Sequence, residues 1–202
     1  MIVSPDGGDV QAPLCSTLAP LLTFGYGSRS ASEALDLLTD HGVRFVVDVR
    51  SMPWSRFRPE FSQDNLAAAL RDQGIRYVFM GVELGGRPDD PGCYDTDGRV
   101  DYRACARRPA FRAGIARLRT AWESGHPVAI MCSESRPEEC HRTKLVSRAL
   151  TDAGVDVRHI DEHGRLRSHD EVLDRLLGSQ MALLGDDERL VKSRGRYRVA
   201  ST

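Results

Sequence analysis

The residues of this chain best suited to chemistry lie in one stretch, Met131-Cys132-Ser133-Glu134-Ser135-Arg136-Pro137-Glu138-Glu139-Cys140-His141-Arg142. It holds two thiols, an imidazole and two guanidinium groups. A thiol reacts as its thiolate, and nearby cations or a helix N-terminus favour that form. The apolar run 128–131 has the length and composition of a buried strand and stops on Cys132. Pro137 suits the first turn of a helix, where Glu138 and Glu139 oppose the positive end of the dipole. Leu145, Val146, Ala149, Leu150 and Ala153 then recur with helical spacing, and Gly154 is a C-terminal stop. Cys132 is therefore predicted at the carboxyl end of a strand, on a loop that feeds a helix. That is where α/β proteins keep their binding sites.

As a nucleophile, Cys132 would use the loop N–H groups and the helix end to hold a negative charge or a persulfide. The alternative is a small buried residue that completes a strand. Cys140 is a candidate resolving thiol. A metal site built from Cys132, Cys140 and His141 is a further alternative, but neighbours on a helix diverge by about 100°. There is also no Cys-x-x-Cys motif, so no metal ligands are assigned and the cofactor is left open. Arg142 could reach an anionic group of a ligand, or pair structurally with Asp48 or Glu134. The acids Glu134, Glu138 and Glu139 argue against a dianionic phosphate. They tolerate neutral sulfur, redox chemistry or a cationic substrate.

Asp48 and Arg50 are two apart and share one face of a strand. A buried Asp must be paired, and Arg50 extends past the strand end towards a ligand. The loop Gly25-Tyr26-Gly27-Ser28-Arg29-Ser30 lacks the third spaced glycine of a dinucleotide fingerprint. The predicted substrate-facing set is Gly25, Tyr26, Ser28, Arg29, Asp48, Arg50, Arg56, Glu134 and His141. The catalytic set is Cys132, Cys140 and Arg142. Trp54, Arg56, Phe57 and Arg58 interleave aromatics with cations, as a base-stacking loop does. A formal net charge of −1 supplies no field for nucleic acid, so a loop closing over the core is the preferred reading.

The elements that must position these groups alternate. Strands are predicted at 21–24, 44–49, 75–80, 128–131 and 155–160. Helices are predicted from Ser30 or Ser32 to His41 and at 64–73, 111–123, 137–154 and 169–177. Such alternation implies an α/β fold: a single three-layer domain, with a mainly parallel sheet of about five strands and helices on both faces. The domain is expected over 21–177, after a flexible N-terminal extension, 1–20, in which Cys15 is incidental. Within it, 81–108 is rich in Gly, Pro and Asp and reads as a structureless insertion, a lid or a mobile loop. Residues 161–167 read as a turn, and 178–202 as a C-terminal extension that frays into a basic tail. Four unusual stretches, 25–30, 48–57, 81–87 and 132–142, all follow predicted strands, so a parallel sheet gathers them at one edge.

The 202 residues suffice for one well-cored domain, and 41% hydrophobic with 28% charged residues is ordinary for a soluble protein. Five scattered cysteines argue against a disulfide scaffold and for reduced thiols in a cytoplasm. No apolar run approaches the roughly 18 residues that span a bilayer, and the first residues carry no basic region of a secretory signal. The expected partner is a small-molecule substrate, with no membrane and no broad nucleic-acid contact.

Several motifs together carry a resemblance. Thr-Phe-Gly-Tyr-Gly-Ser-Arg-Ser, Val-Val-Asp-Val-Arg-Ser-Met-Pro-Trp-Ser-Arg, Phe-Ser-Gln-Asp-Asn-Leu, Leu-Gly-Gly-Arg, the Cys132 stretch and Val-Arg-His-Ile resemble the bacterial family called domain of unknown function 488. They span Thr23 to Ile160. The family's first motif is closer to Thr-Ile-Gly-His-Ser; Tyr26 and Gly27 depart from it, so no histidine role carries over. The resemblance implies the fold and the site positions but no reaction. Asp48-Val49-Arg50 and Cys132 are more weakly similar, in kind and order, to the rhodanese and cysteine-phosphatase group. The phosphatase arginine six positions after the cysteine is absent, since Glu138 stands there and Arg142 lies ten away. The resulting expectation is a cysteine-dependent sulfurtransferase or thiol redox enzyme. A non-catalytic ligand- or nucleotide-binding module and a metal-binding protein are the competing classes.

Overall fold

The structure, a computed structural model, describes residues 18–178 and 188–197. Most of the expected N-terminal extension, Cys15 included, lies outside the described residues. The strands are β1 (Leu21–Gly25), β2 (Phe45–Asp48), β3 (Arg76–Phe79), β4 (Arg99–Asp101), β5 (Val128–Cys132), β6 (Val157–Ile160), β7 (Leu166–Ser168) and β8 (Lys192–Arg196). The helices are α1 (Ala31–Asp40), α2 (Gln63–Asp72), α3 (Gly81–Leu84), α4 (Tyr102–Arg107), α5 (Pro109–Glu123), α6 (Arg148–Asp152), α7 (His169–Leu177) and α8 (Glu188–Val191). Six strands form the main sheet in the order β3-β2-β5-β1-β6-β7. All neighbours in it are parallel except the β6–β7 hairpin.

Alternation along each strand builds the three layers. In β5, Val128, Ile130 and Cys132 join a core with Phe111 and Leu118 of α5 and Leu150 of α6. Ala129 and Met131 point the other way, to Ala34 and Leu38 of α1 and Leu66 and Leu70 of α2. The chain leaves β1 towards one face and β5 towards the other, although the two strands are adjacent. Their carboxyl ends thus flank a switch point of the kind that opens a crevice. Ser30 caps α1 as expected. Its side chain accepts from the Glu33 N–H, and the Glu33 carboxylate accepts from the Ser30 N–H.

Four expectations need correction. The helix expected at 137–154 comes in pieces: a 3₁₀ turn (Pro137–Glu139), then Cys140 in extended conformation, then a π-helical segment (Arg142–Ser147) that runs into α6. Ser147 donates its hydroxyl to the Arg142 carbonyl at 2.7 Å, five residues back, across the width of the π turn. The insertion 81–108 is not structureless. It contains α3, β4 and α4, and buries Cys93, Val100, Tyr102 and Cys105 in the core. The basic segment at 192–196 does not fray; it pairs antiparallel with β4, Arg99 opposite Arg196 and Asp101 opposite Lys192. Ser193 donates to the Gly195 carbonyl and accepts from the Val100 N–H, which fixes the pairing from inside. The expected turn at 161–167 is shorter and ends in β7, with Asp161 accepting from the His163 and Arg165 N–H groups. No helix among the described residues is long and apolar enough to cross a membrane.

Candidate functional site

Cys132, the last residue of β5, is 4% exposed. Because Cys140 is extended rather than helical, its thiol and the next imidazole turn to the same point, and the expected divergence of 100° does not arise. The Sγ atoms of Cys132 and Cys140 each lie 3.7 Å from His141 Nδ1. The two sulfurs and that nitrogen are all within 4.8 Å of one another. On its far side, His141 Nε2 is 2.9 Å from the Val49 carbonyl. A carbonyl only accepts, so Nε2 carries the proton and Nδ1 is the nitrogen free to take one from a thiol.

The two thiols are pushed apart. A hydrogen bond from Cys140, together with the charges of His141 and Arg142, outweighs burial and holds the Cys132 thiol well below an ordinary thiol pKa. Burial, reinforced by the adjacent Cys132 sulfur, pushes Cys140 well above it. Burial works against a charge on His141, but the Cys132 thiolate and the Val49 carbonyl prevail and raise its pKa. These directions favour the thiolate at Cys132 over Cys140, with Cys140 as hydrogen-bond donor and His141 as the adjacent cation.

Arg142 is fully buried, and its guanidinium does not line the cleft. Nη1 donates to the Glu134 carbonyl, and Nη2 donates to the Ser135 carbonyl at 3.2 Å. It therefore pins the loop after Cys132 from behind and adds positive potential, rather than gripping a substrate. Gly25 is needed for the same contact, since a Cβ there would stand 1.7 Å from the Glu134 oxygen and 2.6 Å from Arg142 Nη1. Gly27, at φ +49°, backs onto Ser135 in the same way. Arg29 also props the loop, donating to the carbonyls of Gly25 and Asp161 at 2.7 and 2.6 Å.

At the end of β2, Asp48 and Arg50 form the buried pair that the sequence suggested. Arg50 Nη2 is 2.6 Å from Asp48 Oδ2 and also donates to the Phe61 carbonyl at 2.8 Å. Tyr77 donates to the same carboxylate at 2.7 Å. Arg50 Nη1 has only a long contact, 3.4 Å, to the Tyr26 hydroxyl, and Arg50 lines the cleft over Cys132. Arg50 is thus scaffold on one edge of its guanidinium and cleft wall on the other, whereas Asp48 is scaffold throughout.

That cleft has a volume of about 330 Å³ and is lined by Tyr26, Arg50, Ser51, Met52, Trp54, Gly86, Arg87, Cys132, Ser133, His141 and Tyr197. Tyr26 is held by stacking on Phe61, with centroids 4.1 Å apart. Ser28 and Arg56 are exposed and away from the lining. Glu134 faces a second hollow of about 220 Å³ behind Cys140, beside Arg194. The predicted site set left out seven of the wall residues: Ser51, Met52, Trp54, Gly86, Arg87, Ser133 and Tyr197. Arg87 was legible as part of a Gly-Gly-Arg loop after a strand; Tyr197 directly follows β8 and has no local signal. Cys132, Cys140 and His141 present the donor set that could hold a soft metal ion.

Comparison with known proteins gives one match. The family model described as a domain of unknown function, DUF488, matches residues 30–149. No curated protein and no solved structure matches the chain.

Proposed function

Since the chain belongs to the DUF488 family, whose description names no reaction, we propose a function from its own residues: Cys132 is a nucleophilic thiolate in two-electron thiol–disulfide chemistry, resolved by Cys140. The supporting observation is the convergence of both sulfurs on one imidazole nitrogen whose tautomer a carbonyl fixes. The Cys132 thiolate attacks one sulfur of a substrate disulfide. The substrate S–S bond breaks, a mixed disulfide forms on Cys132, and the leaving thiolate takes the proton from His141 Nδ1. His141 then accepts the Cys140 proton. Cys140 attacks the Cys132 sulfur, which gives a Cys132–Cys140 disulfide and releases the second substrate thiol with that proton. Two electrons have passed to the substrate, and a dithiol reductant restores the pair. The low pKa of Cys132 and the high pKa of Cys140 suit attack first by one and then by the other.

The test is adduct trapping. Cys140→Ser with a small disulfide should stop at a mixed disulfide on Cys132, while the unaltered chain should proceed to an internal disulfide with loss of two thiols. Modification of Cys140 first, or of neither, would overturn the reading.

A second reading has one observation in its favour. The S···N separations of 3.7 Å are near the edge of about 3.6 Å expected for a tetrahedral zinc with Cys and His ligands. A ligand His commonly donates its other nitrogen to a carbonyl, as His141 does to Val49. Stoichiometric zinc in the purified protein, lost together with Cys140→Ser, would favour it over thiol exchange.

A further inference from the structure

The acids that seemed to bar an anion from Cys132 are turned away from it. Glu138 is held by Arg136 and Arg175, each at 3.2 Å, and Glu139 by Arg194 at 2.6 Å. Glu134 opens onto the hollow behind Cys140. Among the described residues no Asp or Glu lines the Cys132 cleft, whose charged wall groups are Arg50, Arg87 and the His141–Cys132 pair.

Arg87 is built to stay there. Its backbone N–H donates to Ser51 Oγ at 2.8 Å, and its guanidinium lies 4.1 Å from the Tyr197 ring centroid. No carboxylate among the described residues pairs with it. Gly86 brings this loop onto the imidazole: a Cβ there would stand 2.6 Å from His141 Cγ. Met52 and Trp54 also line the cleft, the latter 63% exposed. The cleft thus offers a stacked guanidinium, the outer edge of a second one, and an uncovered apolar rim.

We infer that the substrate of Cys132 is a low-molecular-mass disulfide carrying an anionic group, bound between Arg87 and Arg50 Nη1, with an apolar or aromatic part against Trp54 and Met52. This rests on the thiol–disulfide reading and adds the substrate class to it. Arg50 is already committed to Asp48, so Arg87 is the residue that sets specificity. Tyr26 and Tyr197 complete side walls that admit a flat group.

The experiment compares rates of mixed-disulfide formation on Cys132 in the Cys140→Ser background with three probes: an anionic bis(nitrobenzoate) disulfide, neutral dithiodipyridine and cationic cystamine. Each rate is divided by that of the same probe with free mercaptoethanol. The anionic probe should be favoured, and its advantage should shrink with added salt. Arg87→Ala should reduce the anionic-to-neutral ratio by roughly fivefold, the size of one partly exposed ion pair. Arg87→Glu should invert the anionic-to-cationic order, and Arg87→Lys should retain it. Trp54→Ala should slow the aromatic probes relative to cystamine. If Cys132 reacts with all three probes without charge preference, or Arg87→Glu leaves the order intact, the substrate class is wrong while the thiol chemistry stands. If Cys132 reacts with none, the thiol chemistry itself falls.

Discussion

Replacing His141 with Gln tests the charge pair at the centre of the site. Gln retains an N–H for the Val49 carbonyl and removes the cation beside Cys132. In the structure that cation sits 3.7 Å from Sγ. At an effective dielectric of about 20, unit charges at that separation attract by about 4.5 kcal/mol. Desolvation of both groups offsets part of this, so a net loss of about 2 kcal/mol is a reasonable expectation. That corresponds to about a 30-fold smaller thiolate fraction wherever the thiol is mostly protonated. The assay is iodoacetamide alkylation of Cys132, followed by peptide mass spectrometry from pH 5 to 10. In the unaltered protein, half-reaction should fall well below the free-thiol pKa of about 8.5. In His141→Gln the profile should move upward, and labelling at pH values below the unaltered midpoint should slow by about 30-fold. Superimposable profiles would refute the pairing. So would a Cys132 that labels only after unfolding, because it would then be core rather than cleft.

Other outcomes follow from the surroundings of the site. Gly25→Ala drives a Cβ into the Glu134 carbonyl and Arg142, so urea unfolding should show a loss of about 1–3 kcal/mol or more, with slower Cys132 labelling. Asp48→Asn leaves Arg50 buried without its counter-ion and should cost about 3–5 kcal/mol by the same measurement. His159 accepts from or donates to Thr23 Oγ1 at 2.8 Å and faces His169 Nδ1 at 3.1 Å. Burial, then the charges of His169 and Arg142, depress the His159 pKa well below its usual value. A histidine depressed on folding contributes stability that is complete above its unfolded pKa of about 6.5 and is lost as pH falls from there towards the folded pKa. His141 is raised and acts with the opposite sign. The two effects are separated by comparing midpoints at pH 7.5 and 5.5 for the unaltered chain and His159→Gln, which should lose less on acidification.

The sheet was legible because its strands are short, apolar and punctuated. Val128 to Met131 between Pro127 and Cys132 leaves little choice of conformation. The crevice followed from the unusual loops that each follow a strand of a parallel sheet, and the Asp48–Arg50 pair followed from period-two spacing. What could not be read was conformation at single residues. The extended backbone of Cys140 breaks a pattern that is helical on both sides of it, and it decides whether thiol and imidazole meet. Arg142 looked like a ligand group because it sits early in the segment expected as a helix after the Cys132 loop; its burial on two carbonyls depends on a glycine 117 positions earlier. The insertion looked structureless because its hydrophobic residues are sparse, and its few strand positions find their partner in a distant segment.

That distant partner has a consequence for how the protein matures. Tyr197 directly follows β8, the strand that pairs with the insertion, and its ring supports Arg87. During synthesis, where amino-terminal parts fold first, the sheet, both thiols and the imidazole emerge from the ribosome before this tyrosine does. In a nascent chain Arg87 would therefore line the Cys132 cleft before the ring that supports it is made. If the thiol chemistry proposed above holds, chains stalled or clipped ahead of residue 192 should keep Arg87 but discriminate less by charge, because Tyr197 is what holds that guanidinium in place.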